Sequence, residues 1–142
     1  MESLLARMSL EDKVGQMVQA DIGSISPEDL LHYKLGSVLA GGLSAPGNNV
    51  HAPPAAWRAL VASYQKAASD GGSVAHPAIP ILFGIDAVHG DAKIPGATIF
   101  PHNIGLGAAH DPALIERIGT ATAQEIAATG VRKRLGRPRV TA

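Results

Sequence analysis

The sequence predicts an α/β fold built from parallel βαβ units, and three observations carry that prediction. Helical and strand patterns alternate along the chain, as they do when strands are joined by crossover helices. Two short runs, Gly36-Ser-Val-Leu-Ala-Gly-Gly42 and residues 81–85 (Ile-Leu-Phe-Gly-Ile), are apolar without alternation, the pattern of strands covered on both faces. The second run opens directly into Asp86, a carboxylate at the junction of a buried strand and a loop. A charge in that position is costly unless it is paired or used for binding, which makes Asp86 the leading candidate for a ligand contact.

The elements follow in order. Ser9-Leu-Glu-Asp12 reads as an N-cap with an acidic residue three positions on. It opens a helix over residues 10–19, with Leu10, Val14, Met17 and Val18 on one face. Ser26-Pro27-Glu28-Asp29 starts a short helix through Tyr33, with proline at the first helical position. The run 36–42 is the first strand, and residues 44–54 form a loop rich in Gly, Pro and Asn. A helix from Pro53/Pro54 to Ala68 carries Trp57, Leu60, Val61 and Tyr64 as its core stripe, and Asp70-Gly-Gly-Ser73 ends it. Pro77 and Pro80 bar helix up to the strand at 81–85. Residues 89–109 read as loop. Asp111-Pro112 then caps a long helix with Leu114, Ile115, Ile118, Thr122 and Ile126 as its stripe and Gly130 past its end. Two strands do not complete a parallel sheet, so the chain reads as the beginning of an α/β domain.

Composition narrows the function classes. With 142 residues, 46% hydrophobic and 17% charged, the chain is of globular type, long enough for one core or part of a larger one. It has no apolar run near the ~18 residues of a membrane span, and its first residues lack the apolar core of a secretory signal, so none is expected in this chain. Zero Cys removes disulfides, thiolate metal sites and cysteine nucleophiles. The net charge of zero conceals an asymmetry: residues 1–130 hold 7 Lys+Arg against 12 Asp+Glu, and Arg132, Lys133, Arg134, Arg137 and Arg139 restore the balance. The basic segment 131–142 reads as a disordered, solvated tail, and nucleic acid is not expected as a partner.

Four ordered blocks carry a resemblance to glycoside hydrolase family 3, of the β-glucosidase and exo-1,4-β-glucosidase type. They are Met8-Ser-Leu-Glu-Asp-Lys-Val-Gly-Gln-Met17, Gly36-Ser-Val-Leu-Ala-Gly-Gly42, Pro80-Ile-Leu-Phe-Gly-Ile-Asp-Ala-Val-His-Gly90 and Gly96-Ala-Thr-Ile-Phe-Pro-His-Asn-Ile-Gly-Leu-Gly107. The resemblance covers residues 4–130 and implies a partial (β/α)8 TIM-like barrel, of which this chain holds N-terminal βα units only. Residues 1–130 are then the N-terminal fragment of the barrel domain, and 131–142 are a tail outside the family pattern. The activity that the resemblance implies is retaining, exo-acting release of glucose from β-linked sugars. Asp86 matches the family aspartate that hydrogen-bonds the terminal glucose. A β-linked glucoside or gluco-oligosaccharide is therefore the expected partner, with His89 a second candidate contact. The resemblance also implies a periplasmic or secreted location for an intact member.

Two departures stand out. Where the family has a polar stretch such as His-Asn-Asn, this chain has Asp91-Ala92-Lys93. Where the family enters its third strand with an Asp-Trp-Thr-Phe-like sequence, this chain reads Val131-Arg-Lys-Arg. The family nucleophile and acid/base have no counterpart here. Retaining hydrolysis needs two carboxyl groups about 5–5.5 Å apart, so no catalytic residue is assigned, the chain is expected to be truncated near residue 130, and it is expected to be inactive alone. A non-catalytic sugar-binding or interaction module is the alternative.

Weaker patterns have simpler explanations. Asp86, His89 and Asp91 on one turn fall short of a metal ligand set, and no metal or cofactor is expected. Gly105-Leu-Gly-Ala-Ala-His110 lacks the third glycine of a dinucleotide fingerprint. Ser63-Tyr-Gln-Lys66 matches a Ser-x-x-Lys nucleophile pattern but lies in an amphipathic helix without partner motifs, so chance is the better account.

Overall fold

A computed structural model describes residues 2–72 and 77–131. The basic tail from Arg132 onward and Ser73 lie outside the described residues. The elements are α1 (Glu2–Arg7), α2 (Leu10–Gln16), β1 (Gln19–Asp21), a 3-10 turn (Pro27–Asp29) leading into α3 (Leu30–Tyr33), β2 (Ser37–Ala40), a second 3-10 turn (Pro46–Asn48), α4 (Pro54–Asp70), β3 (Leu82–Ile85), α5 (Asn103–Ala108) and α6 (Pro112–Ala128).

The capping box at α2 forms as expected. Asp12 N donates to Ser9 Oγ at 3.0 Å, and Ser9 N donates to Asp12 Oδ2 at 3.0 Å. The helix stops at Gln16, however, three residues before the expected end, because Gln19 has already joined a strand. Its stripe is also not a core face: Leu10 is 72% exposed and Met17 87%. What α2 buries is Asp12 and Gly15. A Cβ on Gly15 would stand 2.2 Å from the Tyr33 carbonyl oxygen, and one on Gly36 would stand 2.1 Å from that of Gln16. The two glycines thus let α2 lie directly on the α3–β2 connection, where Gly36 N donates to Gly15 O at 3.0 Å.

The three strands pair in parallel in the order β1-β2-β3, with Gln19 beside Ser37 and Ser37 beside Leu82. Two successive βαβ units result, through α3 and through α4. Strand β1 was not expected: Gln-Ala-Asp has no apolar run, and only its neighbour defines it as a strand.

One face of the sheet builds the core. Val38, Ala40, Phe83 and Ile85 are buried together with Leu30, Leu35, Ile81 and, from the expected α4 stripe, Trp57, Val61 and Tyr64, with Leu60 half-buried against them. Tyr64 meets Phe83 edge-on at 5.8 Å and donates its hydroxyl to Ile25 O at 2.8 Å. The other face, with Leu39, Leu82 and Gly84, has no helix over it among the described residues, and Leu82 is 61% exposed. The expectation of strands covered on both faces is therefore met on one face of this chain.

The stretch read as loop from 89 to 109 contains α5, whose Gly105 and Gly107 hid it from pattern reading. Helix α6 begins as expected, with Leu114 N donating to Asp111 Oδ1 at 2.9 Å, and Gly130 takes the left-handed conformation at φ 83° just beyond its end. Of its stripe, Thr122 is buried and Leu114, Ile115, Ile118 and Ile126 are half-buried. Glu125 fastens this helix to the loop after β3 by accepting from Thr98 N at 3.1 Å and from Thr98 Oγ1 at 2.9 Å.

Candidate active-site wall at the carboxyl ends of the strands

In a parallel sheet the functional groups gather beyond the carboxyl ends of the strands, where the connecting loops converge. Here that edge holds Asp21 at the end of β1, residues 41–44 after β2, and Asp86 after β3. Asp86 N still donates to Ala40 O at 3.3 Å, so the backbone of Asp86 continues the β2–β3 ladder. Its side chain is exposed and, among the described residues, makes no hydrogen bond and no ion pair within 4.0 Å. Both carboxylate oxygens are open to a ligand.

Asp21 is in the opposite condition. Its Oδ1 accepts from Gly23 N at 2.8 Å and from the Ser44 hydroxyl, and its Oδ2 accepts from Gly41 N at 3.0 Å. Burial pushes its pKa up, but these hydrogen bonds and the Lys93 ammonium outweigh burial and hold it below the ordinary 3.8. Asp21 is thus a fixed anion that pins the β2 loop.

Lys93 pins the same loop from the other side. Its Nζ donates to Gly42 O at 2.7 Å, Gly41 O at 3.1 Å and Ser44 O at 3.1 Å. Burial lowers its pKa from 10.5, while Asp86, Asp21 and Asp91 act to raise it. Asp91 is fully buried: Oδ1 accepts from Lys93 N at 3.2 Å, and Oδ2 has no hydrogen-bond partner among the described residues. Burial raises the Asp91 pKa above 3.8 against the opposing pull of Lys93.

His89 sits at the base of the next loop, half-buried. Phe100 O accepts from its Nδ1 at 2.9 Å, and Phe100 N donates to His89 O at 2.8 Å, so the residue brackets the two ends of the loop. Gly90 follows at φ 101°, where a Cβ would lie 2.1 Å from Thr98 O. Only glycine fits that turn. The His89 ring lies 5.6 Å from that of His102, whose Nδ1 accepts from Ile104 N at 3.3 Å as the cap of α5.

The sequence pointed to Asp86 and His89, and the structure brings both to this edge. It did not point to Asp21, Ser44 or Lys93. Lys93 stood out only as a departure from the family pattern, and Asp21 lies in the strand that pattern reading missed. The Ser63-x-x-Lys66 pair has no nucleophile geometry: Ser63 Oγ donates to Leu60 O at 2.7 Å and Lys66 pairs with Asp70. Among the described residues, no three His, Asp or Glu side chains gather as a metal ligand set.

Known proteins share this fold. The chain is similar to a lysosomal beta glucosidase of Dictyostelium discoideum, 30% identical over 149 residues, covering 92% of this chain and 17% of that protein. It is similar in structure to the exo-1,3/1,4-beta-glucanase of a Pseudoalteromonas species, at 49% identity and a TM-score of 0.84 over 92% of this chain and 16% of that one. A family 3 beta-N-acetylglucosaminidase from a Paenibacillus species matches at 26% identity and a TM-score of 0.69, over 88% of this chain and 23% of that one. The chain therefore spans less than a quarter of the length of these relatives. The model of the glycosyl hydrolase family 3 N-terminal domain matches residues 9–136, and the chain accordingly belongs to glycosyl hydrolase family 3, as a part of its N-terminal, TIM-barrel-like domain.

Proposed function

We propose that this chain supplies the glucose-binding wall of an exo-acting, retaining β-glucoside hydrolase. In that role Asp86 accepts hydrogen bonds from hydroxyls of the non-reducing glucose, and the reacting carboxylates belong to other parts of the full-length enzyme. The carrying observation is the state of Asp86: an exposed carboxylate at the end of β3 with both oxygens unoccupied among the described residues. Paired carboxylate oxygens are matched to vicinal sugar hydroxyls, and charge-assisted hydrogen bonds of that kind are stronger than neutral ones. The β-glucosidase and glucanase relatives support glucose as the sugar.

The test has two parts. Titration of the 142-residue chain with methyl β-glucoside, followed by amide chemical shifts, is expected to give saturable changes around Asp86 that vanish in Asp86→Ala. Nitrophenyl β-glucoside is expected to remain intact when incubated with the chain alone, since neither a nucleophile nor an acid/base is assigned within it. Turnover lost in Asp86→Ala would refute the division of labour proposed here.

A further inference from the structure

An ammonium group has three N–H donors and no acceptor. At Lys93 all three meet backbone carbonyls, those of Gly41, Gly42 and Ser44, at 3.1, 2.7 and 3.1 Å. These carbonyls belong to the loop after β2, whereas Lys93 and Asp86 belong to the segment after β3. Lys93 therefore ties two neighbouring loops together at the rim of the candidate site. Asp21 holds the same loop from the β1 side, through Gly41 N and the Ser44 hydroxyl. The rim is fixed on both flanks.

The same arrangement has an electrostatic side. Asp21, Asp86 and Asp91 all act on the Lys93 charge, and Asp86 acts on it most strongly. Yet, among the described residues, no ion pair within 4.0 Å joins Lys93 to any of them. With its donors committed to carbonyls, the ammonium offsets the charge of the aspartates without covering their oxygens. A direct Lys93–Asp86 pair would have blocked the acceptors a sugar needs.

We propose that Lys93 is a positioning residue for the Asp86 subsite, holding the 41–44 loop beside Asp86 and balancing its charge while leaving both carboxylate oxygens free. The inference rests on the glucose-binding reading given above.

The experiment combines sugar titration with amide hydrogen exchange on the full 142-residue chain, comparing wild type, Lys93→Met and Lys93→Arg. Methionine keeps the apolar stem and removes charge and donors; arginine keeps both. The Met variant is expected to bind methyl β-glucoside at least about tenfold more weakly, the scale on which residues that hold a ligand-contacting group act on affinity, and Arg is expected to recover most of that loss. Exchange at Gly41 and Ser44 amides is expected to rise in Lys93→Met while Gly36 and Leu82 stay as in wild type, because a loss of global stability would raise all four. Equal sugar affinity in wild type and Lys93→Met, or a uniform rise in exchange, overturns the role of Lys93 alone. Absence of saturable shifts in wild type overturns the glucose reading, and the purpose given to Lys93 falls with it. If Lys93→Met fails to give the wild-type circular dichroism, Lys93→Arg is compared with Lys93→Gln, and equal affinity in that pair sinks the proposal.

Discussion

Two aspartates at the candidate site respond to pH in opposite senses. Asp91 is buried with one oxygen unpartnered among the described residues, and its pKa in the folded chain is raised. Between the unfolded and folded pKa values, the folded state holds a proton that the unfolded state has released. Below about pH 3.8 both states are protonated and Asp91 costs nothing; as pH rises from there through the folded pKa, stability falls. Asp91→Asn, which removes the buried charge, is expected to stabilise the chain at pH 7 and to be neutral below pH 3.8. Thermal unfolding of both proteins across about pH 3 to 7 reads this directly. Asp21 works the other way: its lowered pKa gives stability that is present above 3.8 and lost as pH falls through the folded value. The place of Asp86 beyond the strand end was legible at this scale, but the burial cost expected there is absent, because its side chain is exposed. Lys93 was not legible, because its partners are backbone carbonyls about fifty positions away, and no side-chain pattern encodes a carbonyl.

Among the elements, the long helices were the most legible. Both α4 and α6 announce themselves by proline at the first turn and by stripes of apolar residues, and α6 adds an aspartate cap. Asp111→Ala is expected to cost about 1 kcal/mol by removing that cap, measured by urea unfolding. Short elements defeated pattern reading for definite reasons. Strand β1 consists of three residues with no apolar alternation, and it exists because β2 offers it an edge. Helix α5 carries two glycines in six residues. The stripe of α2 misled in a different way: helical spacing shows that residues share a face, not that the face is covered. The true contact of α2 runs through Gly15 and Gly36, which carry no side chain for a pattern to detect. Gly36→Ala would drive a methyl group to 2.1 Å from Gln16 O, and a loss of about 2–3 kcal/mol is expected from such overpacking. A wild-type denaturation midpoint for Gly36→Ala would show that the α2 crossing gives way more easily than its geometry implies.

For the whole molecule, the sheet's two faces have separate duties. The face under α4 carries the packing, and the rim beyond the carboxyl ends carries the candidate chemistry. The opposite face, with Leu39, Leu82 and Gly84, has no helix over it among the described residues, and β1 and β3 each present an outer edge. Open edges beside exposed apolar side chains invite pairing between chains. The 142-residue chain is therefore expected to self-associate with rising concentration in sedimentation velocity, and Leu82→Lys, which places a charge on the bare face at the β3 edge, is expected to shift it toward monomer. The α/β class and its parallel βαβ units were legible from alternation alone; how many strands there are, and which face is open, depended on pairing partners that sequence periodicity does not record.

The strand order β1-β2-β3 is also the order of synthesis. Each new strand docks on the edge left by the one before it, so β3 finds its partner already made, while β1 becomes a strand only when β2 reaches it. Such a sheet can grow from its first strand pair outward as the chain leaves the ribosome, the second βαβ unit folding on the first. Growth of this kind makes the β1–β2 pair the seed against which the register of β3 is set.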